Sequence, residues 1–188
     1  MTDFRALPDD LPVPVDDGAA DHLPGAELPP LALLATSGHP IALHRLGPGR
    51  SVVYVYPRTG RSGVALPDGW DAIPGARGCT TETCDFRDHQ AQLTAAGAAR
   101  VFGLSSQDSD DQREAVERLR LPFALLADPA LTLAAALALP TFTAAGRRLY
   151  RRLTLIVRDG RVEHVFYPVF PPDTHAQEVL AWLRAHPR

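Results

Sequence analysis

Short strand patterns alternate with helical patterns along residues 31–185, and this order limits the folds open to the chain. The run at 51–56 is β-branched and aromatic, which is typical of a buried central strand. Such alternation predicts an α/β fold in which helices cover both faces of a central mixed β-sheet. The predicted elements are a hairpin within 31–46, a strand at 51–56, a helix at about 80–97, a strand at 99–104, a helix at 110–119, a strand at 123–126, a helix at 131–137, a hairpin within 153–166 and a helix at 173–185.

Prolines and glycines divide the chain into segments. Residues 1–27 are rich in Pro, Asp and Gly, and prolines at 8, 12, 14 and 24 oppose any long helix. We therefore expect an extended N-terminal arm at 1–27, followed by one domain at 28–188. Residues 58–77 hold six glycines and prolines and form a long loop between the central strand and the first helix. A loop of this length inside a compact domain is commonly functional.

Composition argues against several classes of partner. The net charge is -3 and all 19 basic residues are arginine, so no basic patch for nucleic acid or anionic membranes is indicated. The N-terminus lacks the basic start and apolar run of a signal peptide, and no window approaches the ~18 apolar residues of a membrane span. We therefore expect a cytoplasmic protein with neither a nucleic-acid nor a membrane partner.

The only two cysteines, Cys79 and Cys84, lie where the long loop meets the predicted helix. Thr80 or Thr81 is predicted near the N-cap, and a glycine at 97 is predicted to end the helix. A helix N-terminus beside an arginine stabilises a thiolate, and Arg77 is close in sequence to Cys79. Cys79 is therefore the better nucleophile, since Cys84 lies inside the helix.

In the cytoplasm a close cysteine pair is more often catalytic or metal-binding than structural. A structural zinc site needs four ligands, and two cysteines with His89 nearby are an incomplete set. We therefore expect neither a metal nor an organic cofactor.

The spacing of the cysteines constrains any disulfide between them. In an intact helix, residues five apart point about 140° away from each other and their Cα atoms lie about 8.5 Å apart. A disulfide needs a Cα separation of about 4.4–6.8 Å, so bond formation requires the first turns of the helix to unwind. Thioredoxin-type exchange uses two intervening residues rather than four. The spacing favours a cycle in which one thiolate becomes a sulfenic acid and the second condenses with it.

Several stretches, in the right order over roughly residues 28–185, resemble the peroxiredoxin Q (bacterioferritin comigratory protein) branch of the peroxiredoxins. The resemblance is carried by Tyr54-Val55-Tyr56-Pro57, by Gly78-Cys79-Thr80 followed by Glu82, Cys84 and Phe86-Arg87-Asp88, by Gly103-Leu104-Ser105, by residues 121–128 and by residues 152–156. It implies a thioredoxin-like fold and the reduction of hydrogen peroxide and organic hydroperoxides by a thiol.

The resemblance also implies roles for individual residues. Cys79 falls on the peroxidatic cysteine and Cys84 on the resolving cysteine, whereas Arg152 falls on the arginine that binds peroxide and favours the thiolate. Glu82 falls where it would orient Arg152, although a carboxylate in a first helical turn is also favoured by the helix dipole. The implied partners are a peroxide substrate and a thioredoxin-like reductant, and we expect a monomer or a weak homodimer.

Two departures from the family pattern concern the residues before Cys79. The family usually has Thr-Pro or Ser-Pro immediately before Gly-Cys, and the threonine hydroxyl bonds to the reacting sulfur and the peroxide. This chain has Ala76 and Arg77 there, and an insertion of about fifteen residues separates the strand from the cysteine. Thr59, soon after the strand, would supply the missing hydroxyl if the inserted loop returns to its starting point.

The sequence leaves alternatives open. Cys79 and Cys84 could be small apolar core residues, and Arg152 could be one of a cluster of surface charges. The predicted function is a thiol peroxidase that passes through a Cys79 sulfenic acid and a Cys79–Cys84 disulfide. The alternative is a redox-sensing protein on the same fold that turns over slowly or not at all, and a third, weaker option is a disulfide reductase.

Overall fold

The β-branched run after residue 49 forms strand β3 (Arg50–Val55), and all six of its residues are buried. The computed structural model describes residues 7–187 and holds nine strands and five α-helices within that range. The others are β1 (Ala32–Ala35), β2 (Pro40–Ala42), α1 (Cys79–Asp88), α2 (Gln90–Ala95), β4 (Ala98–Ser105), α3 (Ser109–Leu119), β5 (Leu125–Ala127), α4 (Thr132–Leu137), β6 (Thr141–Ala144), β7 (Arg147–Tyr150), β8 (Leu153–Arg158), β9 (Arg161–Phe166) and α5 (His175–Ala185).

In the described part of the chain, seven strands form one sheet in the order β2-β1-β5-β4-β3-β8-β9. Strands β3, β4 and β5 are parallel, whereas β1, β8 and β9 each run antiparallel to a neighbour. The predicted mixed sheet is therefore confirmed, with β3 between β4 and β8 near its centre. A parallel strand buried on both faces is expected to be a continuous apolar run, as the sequence of β3 is.

Alternate residues of β3 belong to two separate apolar cores. Val53 and Val55 pack into a core that also contains side chains of α4 and of residues 20–28. Val52 and Tyr54 pack into the second core, together with side chains of α1, α2, α3 and α5. Helices thus cover both faces of the sheet, as predicted, and within residues 7–187 one helix lies on one face and four lie on the other.

The helix predicted at 80–97 is two helices, α1 and α2, separated at His89. Phe86 and Leu93 keep one apolar face across the break, which is why the pattern predicts a single helix. Thr80 and Thr81 lie near the N-cap as predicted, but the cap position itself is occupied by Gly78, which has a φ of 101° and makes no side-chain cap bond. A glycine adopts this backbone conformation at little cost, so the helix begins earlier than the hydroxyl residues suggest.

Two further differences concern the second half of the chain. The strand predicted at 123–126 is displaced to Leu125–Ala127, and Phe123 packs into the core ahead of it. The hairpin β6–β7 is absent from the sequence-based prediction. Its two-residue turn has positive φ at both Ala145 and Gly146. Such turns usually have Gly, Asn or Asp at the first of these positions, so the alanine does not indicate a turn.

The long loop at 58–77 packs against this hairpin. Trp70 and Ala76 from the loop are buried with Leu149 of β7, and the rings of Trp70 and Phe142 lie 6.1 Å apart. A short 3₁₀ turn at Trp70–Ala72 holds the indole in place. The apolar side chains of the loop thus fix its position next to the start of α1.

Residues 7–27 combine exposed and buried segments. Leu23 is fully buried, and the backbone N–H of Gly25 donates to Val162 O at 2.7 Å, which attaches this segment to β9. Nearer the N-terminus, Leu7 packs beside Gly78 and Pro14 beside Gly75. The division into a 1–27 arm and a 28–188 domain stays a prediction. Among residues 7–187, no helix has the length and apolar character needed to cross a membrane.

Candidate active site

Strand pairing brings the candidate residues to one end of the sheet. Val55 at the end of β3 lies opposite Leu153 at the start of β8 in an antiparallel register. Because the chain leaves β3 toward Cys79 and enters β8 from Arg152, these two residues approach each other although they are 73 positions apart. Both are buried, with 3% of each residue exposed.

The guanidinium of Arg152 connects the thiol to a buried carboxylate. Its Nη2 lies 3.1 Å from Sγ of Cys79, and its Nη1 donates to Oε2 of Glu82 in an ion pair whose side chains are 1% and 0% exposed. Nε donates to the carbonyl of Gly75 at 3.3 Å and Nη2 to that of Arg77 at 3.1 Å. These contacts hold the guanidinium against the sulfur in one orientation.

Opposing effects set the ionisation of the thiol. Burial raises the pKa of Cys79 above its ordinary value, Arg152 lowers it, and the negative charge of Glu82 raises it again. Burial also raises the pKa of Glu82, and Arg152 lowers it. The pKa of Arg152 is raised, because its attraction to Cys79 and Glu82 exceeds the cost of burying its charge. The sequence predicts a stabilised thiolate. In the structure the pKa of Cys79 is raised overall, because the effect of burial exceeds the lowering by Arg152.

The backbone N–H of Arg58 is a further donor to Cys79, and it lowers the pKa of the thiol. Sequence analysis missed this contact, because a backbone donor leaves no signature in residue type. The side chains of Arg58, Leu66 and Trp70 also line the small cleft at Cys79, together with Ala76. The start and the end of the 58–77 loop therefore meet at the sulfur.

Thr59 and Arg77 have different partners from those that the sequence suggests. Thr59 is buried, and its hydroxyl lies 3.1 Å from Oε1 of Gln107 and is not hydrogen-bonded to Cys79. The guanidinium of Arg77 pairs with Asp71 at 3.2 Å, and the charged partner of the thiol is Arg152 instead. The role of Thr59 at the sulfur stays a prediction.

Cys84 lies half-buried in α1, one and a half turns after Cys79, and the two cysteines are not joined by a disulfide. It lies beside the guanidinium of Arg87, which also donates to the carbonyl of Leu119 at 2.9 Å. The two cysteines thus occupy one intact helix, where the expected Cα separation of about 8.5 Å is too large for a disulfide.

The middle of α1 is attached to the core. The side chain of Asp85 accepts the N–H of Ala176 at 2.7 Å, and the ring of Phe86 stacks on that of Tyr54 with centroids 4.3 Å apart. Within residues 7–187, no cluster of three or more His, Cys, Asp or Glu side chains could hold a metal ion.

A buried cysteine at a helix start, an arginine on its sulfur and a second thiol in the same helix define a thiol-based redox protein on an α/β sheet. A family model described as Redoxin matches residues 21–180, and the chain belongs to this family.

Curated relatives and solved structures agree with that assignment. The chloroplastic peroxiredoxin Q of Sedum lineare is 29% identical over 164 residues, which cover 86% of this chain and 77% of the relative. The chloroplastic peroxiredoxin Q of Arabidopsis thaliana is also 29% identical over 164 residues, which cover 86% of this chain and 67% of the relative.

Two solved structures extend the comparison. The peroxidoxin BcpB of Mycobacterium tuberculosis superposes with a TM-score of 0.69 at 27% identity, covering 89% of this chain and 100% of that one. A peroxiredoxin Q of Xanthomonas campestris superposes with a TM-score of 0.62 at 27% identity, covering 86% and 97%. These similarities confirm the thioredoxin-like fold and the resemblance to the peroxiredoxin Q branch. That residues 58–77 are an insertion stays a prediction.

Proposed function

We propose that this protein is a thiol-dependent peroxidase whose nucleophile is Cys79. The observation that carries the proposal is the contact of 3.1 Å between Nη2 of Arg152 and Sγ of Cys79, with Glu82 behind the guanidinium. The thiolate attacks one oxygen of a hydroperoxide, and the O–O bond breaks. The sulfur becomes a sulfenic acid, and the leaving alkoxide or hydroxide takes up a proton to become an alcohol or water.

In this mechanism Arg152 acts twice. It stabilises the thiolate before attack, and its N–H groups stabilise the negative charge that develops on the peroxide oxygens. The N–H of Arg58 is a second donor on the same sulfur. Glu82 is a positioning residue, since its carboxylate holds the guanidinium in place.

We assign Thr59 the hydroxyl that the residues before Cys79 lack. Thr59 directly follows Arg58, whose N–H reaches the sulfur, so the hydroxyl belongs to the neighbour of a residue that contacts the reacting atom. Rotation about its χ1 angle would exchange the present partner, Gln107, for the bound peroxide.

Resolution follows in a separate step. The thiol of Cys84 attacks the sulfenic sulfur of Cys79, water leaves, and a disulfide forms. The first turn of α1 must unwind for this attack, and the hydrogen bond from Glu82 N to Gly78 O is lost. A dithiol reductant of the thioredoxin type then reduces the Cys79–Cys84 disulfide to two thiols and is itself oxidised to a disulfide.

The decisive experiment is mass spectrometry after one equivalent of hydrogen peroxide. We expect a Cys79–Cys84 bond within one chain, and amide exchange that increases over the first turn of α1 but not around Asp85 and Phe86. A Cys84→Ser variant should stop at the Cys79 sulfenic acid. A chain in which peroxide leaves Cys79 unmodified would contradict the proposed function.

A redox sensor is the second candidate, and the burial that raises the pKa of Cys79 favours it. A sensor would be oxidised once and would not turn over. Peroxide consumption with a thioredoxin system separates the two, since a peroxidase consumes many equivalents per chain and loses this activity in Cys79→Ser.

A further inference from the structure

A cavity of about 410 Å³ lies next to the Cys79 cleft, and the mechanism uses only a backbone N–H, that of Arg58, from the residues that line it. Its volume is within the range of small-molecule sites. The 58–77 loop, the segment after β4, the segment before α4 and the hairpin β6–β7 form its walls. Arg58 and Trp70 line both the cavity and the cleft, so the two spaces share a boundary.

The cavity contains cationic groups that the protein leaves without partners. Of its two acidic side chains, Asp108 accepts the N–H of Asp111 at 2.8 Å, and Asp111 pairs with Arg61 at 3.3 Å. Among residues 7–187, the side chains of Arg58 and Arg147 form no ion pair, and Nε of Arg58 is buried without an acceptor. A buried donor without an acceptor is unfavourable, and a bound anion would satisfy it.

The remaining wall combines apolar side chains with the polar residues Ser106, Gln107 and Arg148. Trp70 and Leu149 are buried against each other, and Pro67 and Leu131 line the same space. A ligand that fits both parts of the wall carries an apolar body and one anionic group. A guanidinium is well suited to a carboxylate, which it binds through two parallel hydrogen bonds.

We propose that this cavity binds the body of a carboxylate-bearing organic hydroperoxide and that Arg58, assisted by Arg147, recognises the carboxylate. The hydroperoxyl group enters the adjacent cleft, where the Cys79 thiolate takes its outer oxygen and the alkoxide becomes an alcohol on protonation. The product is a hydroxy-carboxylate. This inference rests on the proposed peroxidase function and assigns it a substrate class.

The test compares 4-carboxycumene hydroperoxide with its methyl ester, which differs in the loss of the negative charge. Rate constants for Cys79 oxidation are measured by quenched flow and mass spectrometry. We expect the wild-type protein to prefer the acid, and the acid-to-ester ratio to fall about tenfold in Arg58→Gln and less in Arg147→Gln. Arg184→Gln, which removes an exposed arginine from α5, is the matched control and should leave the ratio unchanged.

Ionic strength provides a second test on the wild-type protein alone, in case Arg58→Gln does not fold. The net charge of the chain is -3, so its overall field repels a carboxylate. Local recognition by Arg58 and Arg147 predicts that added salt slows the reaction of the acid and not that of the ester.

The outcomes separate this inference from the proposed function. Equal rate constants for acid and ester, an unchanged ratio in both variants, or an acid reaction accelerated by salt would overturn the inference and leave the peroxidase intact. A Cys79 that reacts with neither hydrogen peroxide nor the organic hydroperoxides would overturn both.

Discussion

Replacement of Arg152 by glutamine tests the central electrostatic claim, that one buried cation controls the ionisation of Cys79. At the 3.1 Å separation of Nη2 and Sγ, a unit charge pair in a medium of effective dielectric constant ~20 interacts by about 5 kcal/mol. Opposite charges at such distances shift pKa values by about 1–3 units in practice. We therefore expect the pKa of Cys79, already raised by burial, to rise further by about 1–3 units.

The same replacement leaves Glu82 buried without its partner, which should lower the free energy of unfolding by about 3–5 kcal/mol. A double variant, Arg152→Gln with Glu82→Gln, separates the two effects. Without either charge it should recover most of the stability but not the peroxide reactivity, because the thiolate still lacks its cation.

The assay is a titration of thiolate ultraviolet absorbance in a Cys84→Ser background, so that Cys79 is the only thiol, together with the rate constant for hydrogen peroxide. At neutral pH the loss of thiolate alone predicts a rate about 10- to 1000-fold lower in Arg152→Gln. Arg151→Gln, one position earlier, is the matched control. A Cys79 pKa unchanged by Arg152→Gln, or a double variant with wild-type reactivity, would refute the reasoning.

Three further perturbations test other contacts of the site. Thr59→Val should lower the rate constant for peroxide at least tenfold if its hydroxyl binds the peroxide, and an unchanged rate excludes that role. Gly78→Ala should lower the free energy of unfolding in denaturant by about 2 kcal/mol or more, because the new methyl group is strained at a φ of 101° and collides with Pro172. Gly63→Ala, at a φ of 75° with open space around it, is the control and should lower the free energy of unfolding by less. Equal losses in the two variants would contradict the close packing at Gly78. Because burial raises the pKa of Cys79, the folded state holds the thiol proton more tightly, so stability should fall as pH rises from the ordinary thiol pKa through the raised one. Burial also raises the pKa values of Tyr54 and Tyr56, which add a slope at higher pH, so Cys79→Ser should reduce the slope without abolishing it, and an unreduced slope would refute the direction of the shift.

Local patterns were sufficient for much of the fold. The buried strand β3, the helix α3 and the hairpin around Asp159 and Gly160 follow from side-chain periodicity and turn chemistry, which depend on residues close in sequence. The hairpin β6–β7 escaped prediction because Ala145 occupies a left-handed turn position usually held by Gly, Asn or Asp.

The sequence by itself determined that two thiols of unequal position share one helix, and that they cannot bond while the helix is intact. Only the tertiary structure decided what surrounds Cys79. The antiparallel register of β3 and β8 brings Arg152 onto the sulfur, and packing of the 58–77 loop on β7 returns the N–H of Arg58 to it. Helix geometry is a local property of the backbone, whereas the charge and hydrogen bonds around a buried atom depend on strand pairing and packing between distant segments.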